Sequence, residues 1–264
     1  MMTSAATPGF MLPTYSLWRR EIVRFVRQRS RIVGALGTPV VFWLLIGSGL
    51  RHSFRPAGGD SMDYLEYAFP GTIVLILLFT AIFSTISIIE DRREGFLQAV
   101  LAAPVPRSAI VFGKVLGSAT LAVVQALIFL MLAPLIGIPV SAATALAALV
   151  VLVAIAIGLS ALGFLIAWPM DSTQGFHAVM NLFLMPMWLL SGAFFPASGA
   201  SSWLGWVMAV NPLTYGVALL RRAMYSGAGP VAESLPSLAV SGSVTVGFAV
   251  VMLVLATRVV HRRG

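Results

Sequence analysis

From Tyr67 to Ile89 the chain runs for 23 residues without a charged side chain. A hydrocarbon layer about 30 Å thick is crossed by about 20 helical residues. Within it every backbone polar group must be satisfied internally, so a run of this kind reads as a spanning helix. Five further runs have the length for it: Ile32–Leu50, Val111–Ile136, Ser141–Trp168, Gly175–Phe195 and Ser237–Thr257. The fold class that follows is an all-α membrane protein with six transmembrane helices in one domain over residues 1–264. Composition agrees. The chain is 59% hydrophobic and 10% charged, where soluble domains are about a quarter charged. Pro39, Pro134 and Pro186 fall inside or near span ends, where neighbouring helices can satisfy the carbonyls they free.

Charge and cysteine content exclude several classes. There is no cysteine, hence no disulfide framework, thiolate zinc site or cysteine nucleophile. A net charge of +8 in a soluble protein would suggest nucleic acid. Here the basic residues gather at the ends of apolar runs, so they orient the chain in a lipid bilayer and imply no nucleic acid. With the N-terminus inside, thirteen Lys and Arg lie on the cytoplasmic side and four outside, at Arg51, Arg55, Arg221 and Arg222. That bias puts both termini in the cytoplasm, as expected for a multi-pass protein of the cytoplasmic (inner) membrane. Met1–Pro13 lacks the anatomy of a cleavable signal.

Two segments outside the spans are amphipathic. In Thr14–Arg31, Trp18, Ile22, Phe25 and Val26 share one helical face while most arginines lie elsewhere, the pattern of an N-terminal helix in the headgroup plane. The second is a charged island, Glu90–Lys114. It reads as a short cytoplasmic helix over 90–103, with Glu90, Asp91 and Glu94 in its first turns, where acids complement the helix dipole. Phe96, Leu97, Val100 and Leu101 form its apolar stripe, and Pro104 and Pro106 end it. Such a helix is either a surface anchor or a handle for a partner.

Two connections are turns, at Gly58-Gly59-Asp60 and at Gly137–Pro139. The stretch 196–236 is different: SSWLGWVMAV and PLTYGVALLRRAMY are too short to span and too apolar to float. Asn211 is a good N-cap and Pro212 a good first helical residue, so an outer helical hairpin over 196–225 precedes the last span. Trp203, Trp206, Tyr215 and Tyr225 would then be interfacial aromatics.

The island resembles the loop between the second and third spans of ATP-binding-cassette (ABC) permeases of the type-2 exporter family. Glu90, Glu94, Gly95, Leu97, Leu101, Pro104, Gly113 and Lys114 match that pattern, while Phe96, Gln98 and Ala103 depart from it. Asn211–Arg222, NPLTYGVALLRR, is similar to the family's Asn-Pro-x-Thr-Tyr segment. The flavour is that of drug-resistance and nodulation-oligosaccharide exporter permeases. The resemblance implies a transport subunit, not an enzyme, that pairs with a separate ABC ATPase subunit and with a second copy of itself or a homologous permease. It implies ATPase coupling through Glu90, Asp91, Arg92, Arg93, Glu94, Gly95, Phe96, Leu97 and Leu101. It also implies an outer gate hairpin carrying Asn211, Pro212, Thr214 and Tyr215. The residues themselves support a separate ATPase. A phosphate-binding loop needs Gly-x-x-x-x-Gly-Lys-Ser/Thr. The only Gly-Lys here, Gly113-Lys114, is followed by Val115 and has Ser108 at the first glycine position.

Gln125 and Asn181 lie within spans and are candidates to line a substrate path, although interhelical hydrogen bonding is the commoner role. Met170, Met180, Met185 and Met187 read as packing rather than a metal path, and His177 as structural. Gly113-x-x-x-Gly117 permits close helix approach. No metal or cofactor is called for. Two other classes compete with the exporter permease. An ion-coupled carrier would need an acid at membrane depth, and a membrane-embedded enzyme would need a cluster of catalytic groups. The spans offer neither. The expected function is export of an amphipathic or lipid-linked substrate from the cytoplasm, driven by the partner's ATP hydrolysis.

Overall fold

A computed structural model describes residues 9–50, 63–196, 201–225 and 235–262. The described residues form α-helices and short helical turns, with no strand among them. In chain order these are α1 (Met11–Arg27), α2 (Arg29–Leu50), α3 (Tyr64–Arg93), α4 (Phe96–Ala102), α5 (Arg107–Leu130), α6 (Ala142–Ala167), α7 (Thr173–Trp188), α8 (Ser202–Val210), α9 (Pro212–Met224) and α10 (Leu238–Arg262). Six helices are long and apolar enough to cross a membrane: α2, α3, α5, α6, α7 with its extension to Ala193, and α10. The α8–α9 pair is bent by 82°. The turn expected at Gly58–Asp60 lies outside the described residues.

The bundle is organised around α3. Phe69, Ile73, Val74, Ile76, Leu77 and Leu78 are all buried, so consecutive residues of one helix face inward on every side. A helix apolar all round belongs in such a centre. The perimeter is α2, α7 and α10, which leave Leu44, Leu45, Leu182, Val250 and Val251 exposed, as a lipid-facing surface requires. At the end of the bundle carrying the charged island, α1 lies directly on α5. A Cβ at Gly113 would come within 2.6 Å of Leu17 Cβ, and one at Gly117 within 2.7 Å of Glu21 Cβ. The small-residue pair therefore seats the N-terminal helix.

The face of α1 seated on α5 is not the stripe assigned to the headgroup plane. The buried residues are Thr14, Leu17, Glu21 and Phe25, whereas Val26 is 56% exposed. Of the expected stripe, only Phe25 faces the core; Trp18 and Ile22 are half-buried. The reason is electrostatic: Glu21 can turn inward because α5 brings it a cation.

The island also differs from a single helix over 90–103. Helix α3 continues through Arg93, so Glu90 and Asp91 sit in its last turn, not at the start of a new helix. Glu94 is its C-cap, and Gly95, at φ 79°, turns the chain into the left-handed region before α4 begins. Glycine tolerates that conformation without a Cβ penalty. What remains as a separate helix is the seven residues of α4.

Candidate coupling site

At the island end, α1, α3 and α5 are held together by one network of ion pairs. Its centre is Asp91, which is fully buried. Arg20 binds it with both terminal nitrogens, at 2.9 Å and 2.7 Å, and Arg24 Nη1 donates to Oδ1 at 2.5 Å. Lys114 Nζ donates to the other carboxylate oxygen. The ammonium of Lys114, 4% exposed, also donates to Glu21 Oε1 at 2.5 Å and to Ser87 Oγ at 3.2 Å. The Ser87 hydroxyl in turn donates to Glu21 Oε2 at 2.6 Å. A second layer joins Arg24 to Glu90 at 2.8 Å and Arg31, at the start of α2, to the other oxygen of Glu90. Half-burial alone would lower the pKa of Arg20, but its bonds and attraction to Asp91 outweigh that and raise it, so it is a permanent cation.

The remaining island residues are used in three ways. Arg92 donates to the carbonyls of Trp168 and Met170, and Arg93 to that of Asp171. The Trp168 carbonyl belongs to the C-cap of α6, where a cation is favoured, and the other two lie in the link to α7. Phe96 lies under the guanidinium of Arg20, 3.6 Å from ring centroid to Cζ. Leu97 is 3% exposed and belongs to the core, with Val100 and Leu101 packed against it. The apolar stripe of α4 thus attaches the helix to its own bundle. The outward surface consists of Arg93, Glu94, Gly95, Gln98, Ala99 and Ala102.

At the far end, α7 breaks. Its last turn widens into a π segment, Leu189–Ala193, within which Gly192 has φ 77°. Breaking a helix in a dry environment orphans carbonyls, each costly unless paired. The hairpin supplies the donors. Asn211 caps α9 by accepting from the Leu213 amide at 3.0 Å, and its amide nitrogen donates to Met187 O of α7 at 2.6 Å. The hydroxyls of Thr214 and Tyr215 donate to Met208 O and Ala209 O, closing the end of α8 at 2.6 Å and 2.7 Å. Asn211, Pro212, Thr214 and Tyr215 thus make the 82° bend possible. Helix α9 does not rest on the surface: Leu213, Val217, Leu220 and Met224 are buried, although Trp203 and Trp206 of α8 are 68% and 75% exposed.

Arg221, read from sequence as an outer loop charge, is also buried. It donates to Gly192 O at 2.9 Å and to Tyr67 O at 3.2 Å, and lies 3.9 Å above the Tyr67 ring. The Tyr67 hydroxyl donates to the same Gly192 carbonyl at 3.0 Å. The broken end of α7 is therefore held by α3 and α9 together.

A model of the family described as ABC-2 type transporter matches residues 13–225. The chain belongs to that family. Among similar proteins, the putative transport permease ycf38 of Cyanophora paradoxa is 24% identical over 215 residues, covering 80% of this chain and 74% of that protein. Nodulation protein J of Rhizobium leguminosarum bv. viciae is 26% identical over 226 residues, covering 84% and 86%. ABC transporter G family member 20 of Dictyostelium discoideum is 27% identical over 175 residues, 65% of this chain but 24% of that longer protein. The chain is thus a multi-pass membrane permease of the ABC transporter class.

In this ABC-2 permease the two candidate path residues part company. Gln125 is 5% exposed and accepts from the Thr80 hydroxyl at 3.2 Å, joining α5 to α3. Asn181 lies on an exposed face of α7. Met180 is buried in the core with Met170, Met185 and Met187 packed against it, and His177 rests between the rings of Phe83 and Phe176. Sequence reading missed Glu21 and Arg221. A usable signal for Glu21 existed: Lys114 is the lone ionisable side chain from Val111 to Trp168, and a buried cation needs an acid.

Proposed function

We propose that this permease exports an amphipathic or lipid-linked substrate from the cytoplasm, as one of two membrane subunits driven by a separate ATP-hydrolysing subunit. The observation that carries this reading is the ion-pair network around Asp91. It joins α1, α3 and α5 into one body at the end where positive charge is concentrated, the cytoplasmic side by the positive-inside rule. Helix α4 is bolted to that body by Leu97 and Phe96 and turns Gln98, Ala99 and Ala102 outward, beside Glu94 at the end of α3. A push delivered to that small surface moves α3 as a lever, because α4 follows it after a single glycine turn.

The lever's other end is the hinge. Tyr67 of α3 donates to Gly192 at the break in α7, so displacement of α3 acts on the outer hairpin through that bond and through Arg221. Export follows from alternate opening at the two ends. The carrier reading has less support. Among the described residues, the carboxylates on the span helices sit at their ends, Glu66 at one and Glu90 and Asp91 at the other, so no acid is placed to bind a coupling ion in transit.

The test is co-expression with a candidate ATPase subunit followed by purification on a tag carried by the permease. The reading expects a two-plus-two complex with ATPase activity and none from the permease alone. Transport by a purified permease without any ATPase would overturn it.

A further inference from the structure

Between α6, α7, α8 and α10 runs an open groove of about 880 Å³. Leu162 and Ile166 form one wall, Phe183 and Leu190 a second, and Val207 and Met252 close it. No charged side chain lines it, and its one amide, Asn211, has both polar atoms engaged, with the Leu213 amide and Met187 carbonyl. Water entering the groove would find no partners there. Its rim is continuous with the lipid-facing surface: Phe183, Trp206 and Val210 are 63%, 75% and 78% exposed.

We propose that this groove binds one acyl chain of a bilayer phospholipid, held as a resident tail and not as cargo. Length argues for it. From Val179 to Leu190 the lining follows α7 into its π segment over 12 residues, a rise of roughly 16 Å at 1.5 Å per residue. The hydrocarbon depth of one leaflet is about 15 Å, half of the layer. Polarity argues for it as well, since a saturated tail brings no group that the groove would leave unpaired. The seat has a consequence for the hinge. Met187, Leu190, Asn211 and Pro212 line the groove and are the residues around which α7 breaks and the hairpin bends. A tail there fills the space beneath the bend and supports it.

The experiment uses the intact permease in nanodiscs of phosphatidylcholine doped with phosphatidylcholine carrying a diazirine midway along one tail. After illumination, adducts are mapped by peptide mass spectrometry. Adducts at Phe183, Val207 and Phe248 should be at least about tenfold denser than at Val124 and Ile128 of α5, a preference of about 1.4 kcal/mol for the groove over bulk lipid. Val124 and Ile128 are the reference because they are exposed apolar residues, 49% and 52%, on another helix. Filling the groove from opposite walls, with Val207→Trp or Leu162→Trp, should remove the excess at Phe248 and leave the α5 adducts unchanged. Uniform labelling in the wild type overturns the proposal, without recourse to a variant. So does an undiminished excess in a filled variant that still runs as a folded peak on size exclusion. High-yield disulfide formation between two Phe183→Cys copies, in place of lipid adducts, would assign the groove to a second copy of the chain. No ATPase or transported molecule is needed, so the outcome is independent of the export reading.

Discussion

Lys114 and Glu21, 93 residues apart, form an ion pair of 2.5 Å in which neither side chain is more than 4% exposed. The pair holds the N-terminal helix against α5 at the point where Gly113 and Gly117 remove the side chains that would keep it away. Charge and packing act on the same contact.

Removing one member of such a pair leaves the other buried and uncompensated, at about 3–5 kcal/mol. Lys114→Met should therefore lower the thermal unfolding temperature of the purified permease strongly. The double variant Glu21→Gln with Lys114→Met should recover part of the loss, because it removes both charges. A double variant no more stable than Lys114→Met would show that Glu21 is not the partner that matters.

Tyr225 makes a sharper test, since its hydroxyl donates to Glu66 O at 2.6 Å. That carbonyl would normally bond to the amide four residues on, but residue 70 is proline and has no N–H. Tyr225→Phe orphans it, costing about 1–3 kcal/mol. In a Pro70→Ala background, where the amide is restored, the same change should cost measurably less. Equal costs in the two backgrounds, from unfolding midpoints, would refute the account.

Helix α4 yields two contrasting variants. Leu97→Asp places a charge in the core and forfeits about 1.5–3 kcal/mol of burial. It should unseat α4 and expose 90–106 to limited proteolysis, with ATPase capture falling as a consequence. Ala99→Arg, on the outward face, should leave proteolysis unchanged and reduce capture alone. Intact capture by Ala99→Arg at matched membrane expression would remove α4 from the partner interface.

Orientation is tested by labelling, with no background because the chain lacks cysteine. Ser202→Cys, exposed at the start of α8, should react with an impermeant maleimide in intact cells. Ser172→Cys, exposed between α6 and α7, should react only after permeabilisation. The reverse pattern would invert the topology and with it the assignment of the island to the cytoplasm.

The membrane class, the six spans and the amphipathic character of the two flanking segments follow from sequence alone, because hydrocarbon admits few alternatives to a long apolar helix. The Asn211–Pro212 helix start was equally legible, since a cap acts on the next few residues of its own chain. Which faces turn inward was not. The stripe through Trp18, Ile22, Phe25 and Val26 reads as a face for the headgroup plane, but the face that meets α5 centres on Glu21, because Lys114, far along the chain, neutralises it. Arg221 read as an outer charge and is enclosed, because Tyr67 and the broken turn at Gly192 give it a ring and two carbonyls to bind. Hydrophobic periodicity prices each side chain as if it met lipid or water. Only the tertiary structure brings together the partners that make a buried charge tolerable.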